Sequence, residues 1–244
     1  MNGTEFRKKF HTNNKTAVFP VIHVLTHEQT SLNVQIAIEE SCAGVFLINH
    51  DFDVDQFLPI VRSVREQFPE FWLGVNFLAV TGKIAFPILA ELEKNGCRVD
   101  GYWADDARID ESAEIDQQVE AAGILEVKRR CGWGGMYFGG TAFKKQREVE
   151  SQFFNRSAEI ATHWMDVVTT SGSATGIAVG TEKTRVFRNG VGNSALALAS
   201  GITPENIGSY THLIDACLVA TGINLENDFY NIDRIRLSKL MERV

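Results

Sequence analysis

The sequence predicts a single (β/α)8 barrel, the TIM-barrel architecture, over all 244 residues. Short apolar or β-branched segments alternate with longer helical patterns along the whole chain. The strand-like segments are apolar on both faces, which is typical of strands in a buried parallel sheet. No linker or change of composition divides the chain, and single barrels often have this length. A doubly wound open sheet is the rival fold, but such sheets more often have about five or six strands.

Eight strands are predicted after a polar N-terminal lead of residues 1–16. Each is rich in β-branched, aromatic or other apolar residues, and each is followed by polar or glycine-rich sequence. The eight segments are 18–24, 44–49, 71–77, 99–104, 135–140, 166–170, 195–200 and 216–220. Their number and order favour a closed barrel over an open sheet.

A helical pattern follows each predicted strand. The strongest lies between the second and third strands, where Phe57, Val61 and Val64 fall on one face. After the seventh strand, Pro204 suits a first helical turn and Thr203 suits the cap before it. The other patterns cover residues 34–41, 85–92, 111–128, 149–165, 182–188 and 237–244.

Composition and charge argue against several classes of function. The net charge of −7 disfavours a surface that binds the backbone of a nucleic acid. No apolar run approaches the roughly 20 residues of a membrane helix, and residues 1–15 lack the apolar stretch of a secretory signal. The four cysteines form no C-x-x-C pair, so we expect reduced thiols in a cytoplasmic protein rather than disulfides or a metal site.

Polar residues at the predicted strand ends are the candidates for chemistry, because barrel active sites lie at the C-terminal ends of the strands. Asp105 or Asp51 could act as a general acid or base, and Lys144 could neutralise a phosphate or an enolate. Asn49 and Asn76 could bind sugar hydroxyls. The candidate catalytic residues are His23, Asn49, Asp51, Asn76, Asp105, Asp106 and Lys144.

Several of these residues also have a structural interpretation. His23 could be a hydrogen-bonded histidine of the core. Asp51 could cap the second helix, although Asp53 suits that role better. Lys144 could belong to a solvated cluster with its basic neighbours, such as Lys145. The sequence leaves both interpretations open.

The turns predicted after strands six, seven and eight are rich in glycine, serine and threonine. A phosphate dianion needs several converging N–H and O–H donors; glycine lets the backbone approach it, and serine and threonine add hydroxyls. TIM barrels often bind phosphate after strands seven and eight. The alternative is that these glycines only form tight turns. The predicted phosphate-binding residues are Thr170, Ser171, Gly172, Ser173, Gly176, Ser200, Gly201, Thr221 and Gly222.

Four stretches of the chain, 21–24, 170–176, 200–206 and 215–222, resemble the BtpA/SgcQ family. The resemblance runs in order along the whole chain and is most specific in the last third. It implies a barrel related to the ribulose-phosphate-binding barrels, which include phosphoribosylanthranilate isomerase. It also implies a phosphosugar-like ligand held by Ser171, Gly172, Gly201 and Gly222.

The loops after the first three strands depart from the family pattern. Residues 25–29 stand in place of a small Pro/Gly loop, 48–49 in place of a Glu-Asn pair, and 78–80 in place of Arg-Asn-Asp. These loops would select and transform the substrate. Some relatives of this branch are labelled adenine phosphoribosyltransferases. The residue types of the stretch 99–106, however, do not follow the order found in the diphosphate loop of such enzymes.

Three functions are compatible with these observations. The first is an isomerase, lyase or glycosyl-transfer enzyme that acts on a phosphorylated, ribose-like molecule, with Asp105 or Asp51 as acid or base. The second is a non-enzymatic assembly or regulatory barrel with a relic ligand pocket. The third is metal-dependent hydrolysis by Asp105 and Asp106 with a divalent metal; no other cofactor is required.

The 16 phenylalanines leave room for an apolar interface in a homo-oligomer. We expect Gly222→Asp to abolish ligand binding while the fold survives.

Overall fold

A computed structural model describes residues 1–12, 15–144, 146–174 and 176–244. Eight parallel strands pair in chain order and close into a barrel, in which the first strand pairs with the eighth. The (β/α)8 barrel predicted from the sequence is therefore confirmed, with strand bounds that differ from the predicted ones by at most two residues. The strands are β1 (Ala17–Val24), β2 (Val45–Asn49), β3 (Leu73–Asn76), β4 (Gly101–Ala104), β5 (Met136–Gly140), β6 (Val167–Ser171), β7 (Leu196–Ala199) and β8 (Ala216–Val219).

The strands form two apolar cores because alternate side chains point to opposite faces of a sheet. Aromatic rings fill the inside of the barrel: the ring centroid of Phe46 lies 5.1 Å from that of Phe138 and 5.3 Å from that of Trp72. Aliphatic side chains such as Val18 and Leu47 belong to the second core, which includes the buried faces of the helices. The mouth of the barrel therefore lies above a layer of buried, contacting aromatic rings.

Among the α-helices found in the described residues, those that follow β1 in the chain surround this barrel. α3 begins where the sequence predicts, because the carboxylate of Asp53 accepts a hydrogen bond from the N–H of Gln56 at 3.0 Å. None of the helices described has the length and apolar character that a membrane span requires. The helices are α1 (Gly3–Lys9), α2 (His27–Glu39), α3 (Val54–Gln67), α4 (Gly82–Lys94), α5 (Val119–Cys131), α6 (Phe154–Ala161), α7 (Thr181–Val191) and α8 (Arg234–Met241).

The N-terminal segment is more than a polar lead, because it contains α1. Asn2 and Glu5 form a capping box at its start. Phe6 is fully buried, and its ring lies 6.2 Å from that of Phe138 inside the barrel. Arg7 forms an ion pair with the buried carboxylate of Asp215. The helix thus closes the N-terminal end of the barrel.

The segment after β4 is irregular where the sequence predicts a helix from residue 111. The carboxylate of Asp110 accepts a hydrogen bond from the N–H of Ser112 at 2.9 Å, and the amide of Gln118 donates to the carbonyl oxygen of Asp110 at 2.7 Å. Such local bonds compete with the hydrogen bonds of a helix. A short 3-10 helix, Ile115–Gln117, precedes α5.

The α-helix predicted to begin at Pro204 is wrong. The N–H of Glu205 donates to the hydroxyl of Thr203 at 3.2 Å, and the N–H of Thr203 donates to the side-chain oxygen of Asn206 at 2.9 Å. These bonds form a compact turn, which is followed by the 3-10 helix Ile207–Ser209. Side-chain bonds replace the helical pattern that the sequence suggests.

Candidate functional site

A cavity of about 50 Å³ opens at the C-terminal end of the barrel. This volume holds only a few water molecules. Apolar side chains such as Val21, Ile48 and Leu218 form part of its wall, and polar groups from the strand ends form the rest. Eight of the predicted site residues line it: His23, Asp105, Lys144, Gly176, Ser200, Gly201, Thr221 and Gly222.

His23, at the end of β1, is both a bonded core residue and part of the cavity wall. It is 5% exposed, and its Nδ1 lies 2.9 Å from the carbonyl oxygen of Phe229. Its ring stacks on the ring of Phe229 with 3.8 Å between the centroids. Burial lowers the pKa of His23 to about 4, because the charged imidazolium would lose its hydration. The side chain is therefore neutral at pH 7.

Asp105 and Asp106 have different environments. Asp105 lines the cavity and accepts a hydrogen bond from the side-chain amide of Asn76 at 3.2 Å. The side-chain oxygen of Asn76 is buried and has no hydrogen-bond partner among the described residues. Asp106 is outside the cavity lining and bonds the backbone N–H and the guanidinium of Arg108. The two carboxylates therefore have different neighbours, and the described residues contain no cluster of three potential metal ligands.

Asn49 and Asp51 do not line the cavity, and both have structural partners. Asn49 is buried; its amide donates to the carbonyl oxygen of Phe52 at 2.8 Å and its oxygen accepts from the N–H of Leu78 at 3.0 Å. Asp51 is exposed and accepts a hydrogen bond from the hydroxyl of Tyr230 at 3.0 Å. Asn49 therefore joins two loops, and Asp51 anchors a distant segment.

The turn after β7 presents donors without partners beside the cavity. Ser200 and Gly201 both have a left-handed backbone, with φ of 72° and 66°. The amide of Asn206 donates to the carbonyl oxygen of Gly201 at 2.7 Å, so the N–H of Ile202, in the same trans peptide, points the other way. The N–H groups of Gly201 and Ile202 make no hydrogen bond to other described residues. The buried hydroxyl oxygen of Ser200 has no partner among them either.

The glycines of these turns have a packing reason. A Cβ at Gly222 would overlap the carbonyl oxygen of Ile202, and a Cβ at Gly201 would overlap the backbone nitrogen of Ala178. The guanidinium of Arg236 also donates to the carbonyl oxygen of Gly222 at 3.0 Å. Any side chain here displaces local backbone, so Gly222→Asp would distort the turn itself as well as add a charge. That the fold survives this substitution stays a prediction. The argument for a ligand rests on the donors and the cavity, not on glycine alone.

Thr170 and Ser171, at the end of β6, make internal hydrogen bonds and do not line the cavity. The hydroxyl of Thr170 donates to the carbonyl oxygen of Ala142 at 3.4 Å. The hydroxyl of Ser171 donates to the carbonyl oxygen of Gly172 at 2.9 Å and accepts from the N–H of Lys144 at 2.7 Å. These residues hold the β5 and β6 turns together. Lys145 and Thr175 lie outside the described residues.

Gly172 and Ser173 line a neighbouring cavity rather than the mouth of the barrel. Its wall includes Lys183 of α7, whose ammonium donates to the carbonyl oxygens of Ala142 and Ser171 at 2.6 and 2.7 Å. Burial lowers the pKa of Lys183 to about 8. Through its two hydrogen bonds this lysine connects the start of α7 to two turns. Its position in a helical sequence pattern does not predict this role.

Two aromatic residues belong to the site although the sequence does not single them out. Trp103 is 4% exposed and lines the cavity, and its indole N–H has no partner among the described residues. It precedes Asp105 by two residues, and this spacing on a strand is a signal that could have identified it. Phe229 covers His23, but nothing near Phe229 in the sequence indicates contact with β1.

Several solved structures share this fold. The chain matches a tryptophan synthase alpha subunit from Legionella pneumophila with a TM-score of 0.68 and 14% identity, covering 100% of this chain and 98% of that one. It matches phosphoribosyl anthranilate isomerase from Thermus thermophilus with a TM-score of 0.61 and 12% identity, covering 93% and 98%. A native KDPGal structure gives a TM-score of 0.63 and 9% identity, covering 93% of each chain. At these identities the likeness shows the barrel fold alone.

Sequence comparisons add no family to this result. No family model matches the chain. No curated protein matches its sequence. The resemblance to the BtpA/SgcQ family therefore stays a prediction.

Proposed function

We propose that this protein is an enzyme that binds a phosphorylated, ribose-like small molecule at the C-terminal mouth of its barrel. The phosphate lies on the turn after β7 and beside the turn after β8. The rest of the ligand reaches toward Trp103 and Asp105. Acid–base chemistry at Asp105 and His23 then isomerises or cleaves it.

The observation that carries this proposal is the set of unpartnered donors around one cavity. Gly201, Ile202, Ser200 and Trp103 line that cavity, and each has an N–H or O–H group without a hydrogen-bond partner among the described residues. Buried polar groups in native proteins are normally paired. Several converging donors suit a phosphate oxygen, and Lys144 adds a positive charge to the same wall.

The fold supports the same proposal. TIM barrels often bind phosphate after strands seven and eight, and the Thermus thermophilus neighbour is a phosphoribosyl anthranilate isomerase. The cavity of about 50 Å³ is smaller than such a ligand. A ligand of this size therefore extends beyond the cavity into the open mouth, or the surrounding loops move outward when it binds.

Titration of the full chain with inorganic phosphate and with ribose 5-phosphate tests the binding site. We expect both to bind, ribose without phosphate not to bind, and saturating ligand at 100 times Kd to stabilise the fold by about 2.7 kcal/mol. Ser200→Ala removes a donor to a charged group, which costs about 1.5 kcal/mol or more, so Kd rises roughly tenfold. Calorimetry and thermal unfolding measure both effects.

Ser173→Ala is the matched control, because Ser173 lines the neighbouring cavity and not the mouth. It should leave the Kd for phosphate unchanged. An affinity loss in Ser173→Ala but not in Ser200→Ala would place the phosphate elsewhere. Failure of both ligands to bind would refute the site.

Hydrogen–deuterium exchange at carbon tests the acid–base step. NMR of sugar phosphates incubated with the protein in heavy water should show exchange next to a hydroxyl or carbonyl group. Asp105→Asn should still bind phosphate but lose the exchange. Binding without exchange in the unmodified protein would favour the alternative of a regulatory barrel.

A further inference from the structure

The segment of residues 224–231, between β8 and α8, lies against the β1 side of the mouth. Its base is held by the side chain of Asn224, which donates to the carbonyl oxygen of Phe229 at 2.9 Å. Gln29 and Asn33 of α2 donate to the carbonyl oxygen of Tyr230 at 2.7 and 2.8 Å. The carboxylate of Asp228 accepts from the backbone N–H of Tyr230 at 2.7 Å. These hydrogen bonds therefore define the shape of the segment and its position against the barrel.

Phe229 contacts His23 in two ways. Its ring stacks on the imidazole, with 3.8 Å between the centroids and 13° between the planes. Its carbonyl oxygen lies 2.9 Å from Nδ1 of His23. A carbonyl oxygen can only accept a hydrogen bond, so the proton of a neutral imidazole must be on Nδ1. The lone pair is then on Nε2.

We propose that Phe229 is a positioning residue that holds His23 as the Nδ1–H tautomer, so that Nε2 is the proton acceptor available to the ligand. His23 lines the cavity, and the second nitrogen of a histidine is often oriented through the bond made by the first. The catalytic consequence rests on the function proposed above, whereas the tautomer does not.

The surroundings of His23 keep the imidazole neutral. Burial is the main cause of its low pKa, and the charges of His50 and Lys144 lower that pKa further. The carbonyl oxygen of Phe229 and the carboxylate of Asp51 oppose this effect. His50 also lies edge-on to the ring, with 4.9 Å between centroids. At pH 7 His23 is therefore neutral, and its Nε2 has a lone pair and no proton to donate.

This assignment limits the class of substrate. The group that faces Nε2 must carry a proton to give, as a hydroxyl or a C–H next to a carbonyl does. A ligand group that has only hydrogen-bond acceptors at this position would be repelled by the lone pair of Nε2. Isomerisation of a phosphorylated hydroxy-aldehyde or hydroxy-ketone meets this requirement, because a proton leaves carbon or oxygen in its first step.

Nitrogen NMR of the ligand-free, 15N-labelled full chain tests the proposal. Long-range 1H–15N correlations at pH 7 should show a protonated Nδ1 and an unprotonated Nε2 for His23, with His23→Gln used to assign the signals. Phe229→Ala should convert this pattern to a mixture of tautomers and raise the titration midpoint of His23 from about 4 toward 6.5. The tautomer changes because the carbonyl oxygen loses the ring that positions it. The midpoint rises because the uncovered imidazole becomes hydrated, whereas loss of the carbonyl bond alone would lower it.

Tyr230→Phe is the control, because it removes the hydrogen bond to Asp51 and leaves Phe229 in place. Its His23 signals should match those of the unmodified protein. A protonated Nε2 in the unmodified protein overturns the proposal even if no variant folds. So does an unchanged tautomer in a folded Phe229→Ala. Failure to bind phosphate would leave this result intact and would count only against the proposed function.

Discussion

Ser200 combines a left-handed backbone, with φ of 72°, and a buried hydroxyl oxygen without a partner among the described residues. The first feature costs a residue with a Cβ roughly 1 kcal/mol or more, and an unpaired buried hydroxyl costs about 1 kcal/mol or more again. Surrounding structure can maintain such strain, which is common at binding sites. Here Asn206 fixes the next peptide by bonding the carbonyl oxygen of Gly201.

Ser200→Gly should therefore stabilise the ligand-free protein and weaken phosphate binding. Relief of the strain and removal of the unpaired hydroxyl exceed the entropy cost of glycine, about 0.4–1 kcal/mol, so the free energy of unfolding should rise by about 1 kcal/mol. Urea denaturation measures this change. Ser63→Gly, inside α3, is the control and should destabilise by about 0.5–1 kcal/mol. Destabilisation of similar size at position 200 would contradict the interpretation.

At the residue scale, the rule that barrel sites lie at strand ends selected the predicted site residues, and half of them line the cavity. It works for Ser200 and Asp105 because strand direction alone decides which end they occupy. The rule does not separate Asn49 from the cavity-lining residues. The amide and the oxygen of its side chain bond neighbouring loops, and strand direction does not predict the course of those loops. Phe229 could not be predicted, since its contact with His23 joins positions 206 residues apart.

At the element scale, α1 shows how composition can conceal a structural role. Residues 1–16 are polar overall, yet Phe6 and Phe10 are four positions apart and share one face of the segment, with their ring centroids 4.8 Å apart. Phe6 enters the end of the barrel and is fully buried. The strands, by contrast, could be predicted closely because each is apolar on both faces.

Phe6→Ala should destabilise the whole barrel, because it leaves a cavity among the rings of Phe19 and Phe138. Substitutions of this kind cost about 3–5 kcal/mol. Lys8→Ala changes an exposed residue of the same helix and should stay within about 0.5 kcal/mol. Urea midpoints of the two variants give the comparison. Equal and small effects would show that α1 is dispensable for closing the barrel.

At the scale of the whole molecule, the mouth of the barrel is assembled from segments far apart in the chain. β1 supplies His23, β4 leads to Asp105, and the last two strands lead to Ser200 and Gly222. The segment after β8 then returns across β1. Barrel closure makes these segments neighbours, so a change in the protonation of His23 affects the stability of the complete fold.

The free energy of unfolding should fall as the pH decreases from about 6.5 to 4, in part because of His23. Burial lowers the pKa of His23 to about 4 in the folded protein, against about 6.5 in the unfolded chain. Between these values the unfolded chain binds a proton that the folded protein does not, so unfolding becomes easier. The full effect is on the order of 3 kcal/mol, complete near pH 4 and absent above pH 7.

Urea denaturation of the full chain at half-unit steps from pH 7.5 to pH 4 measures this dependence. His23→Gln keeps a polar side chain that cannot take up a proton, so its stability should fall less steeply over the same range. His163→Gln alters an exposed histidine and should keep the slope of the unmodified protein. Parallel curves for all three proteins would mean that His23 titrates in the folded protein as it does in the unfolded chain. Its burial under Phe229 would then be transient, because a ring covered at all times could not be hydrated when charged.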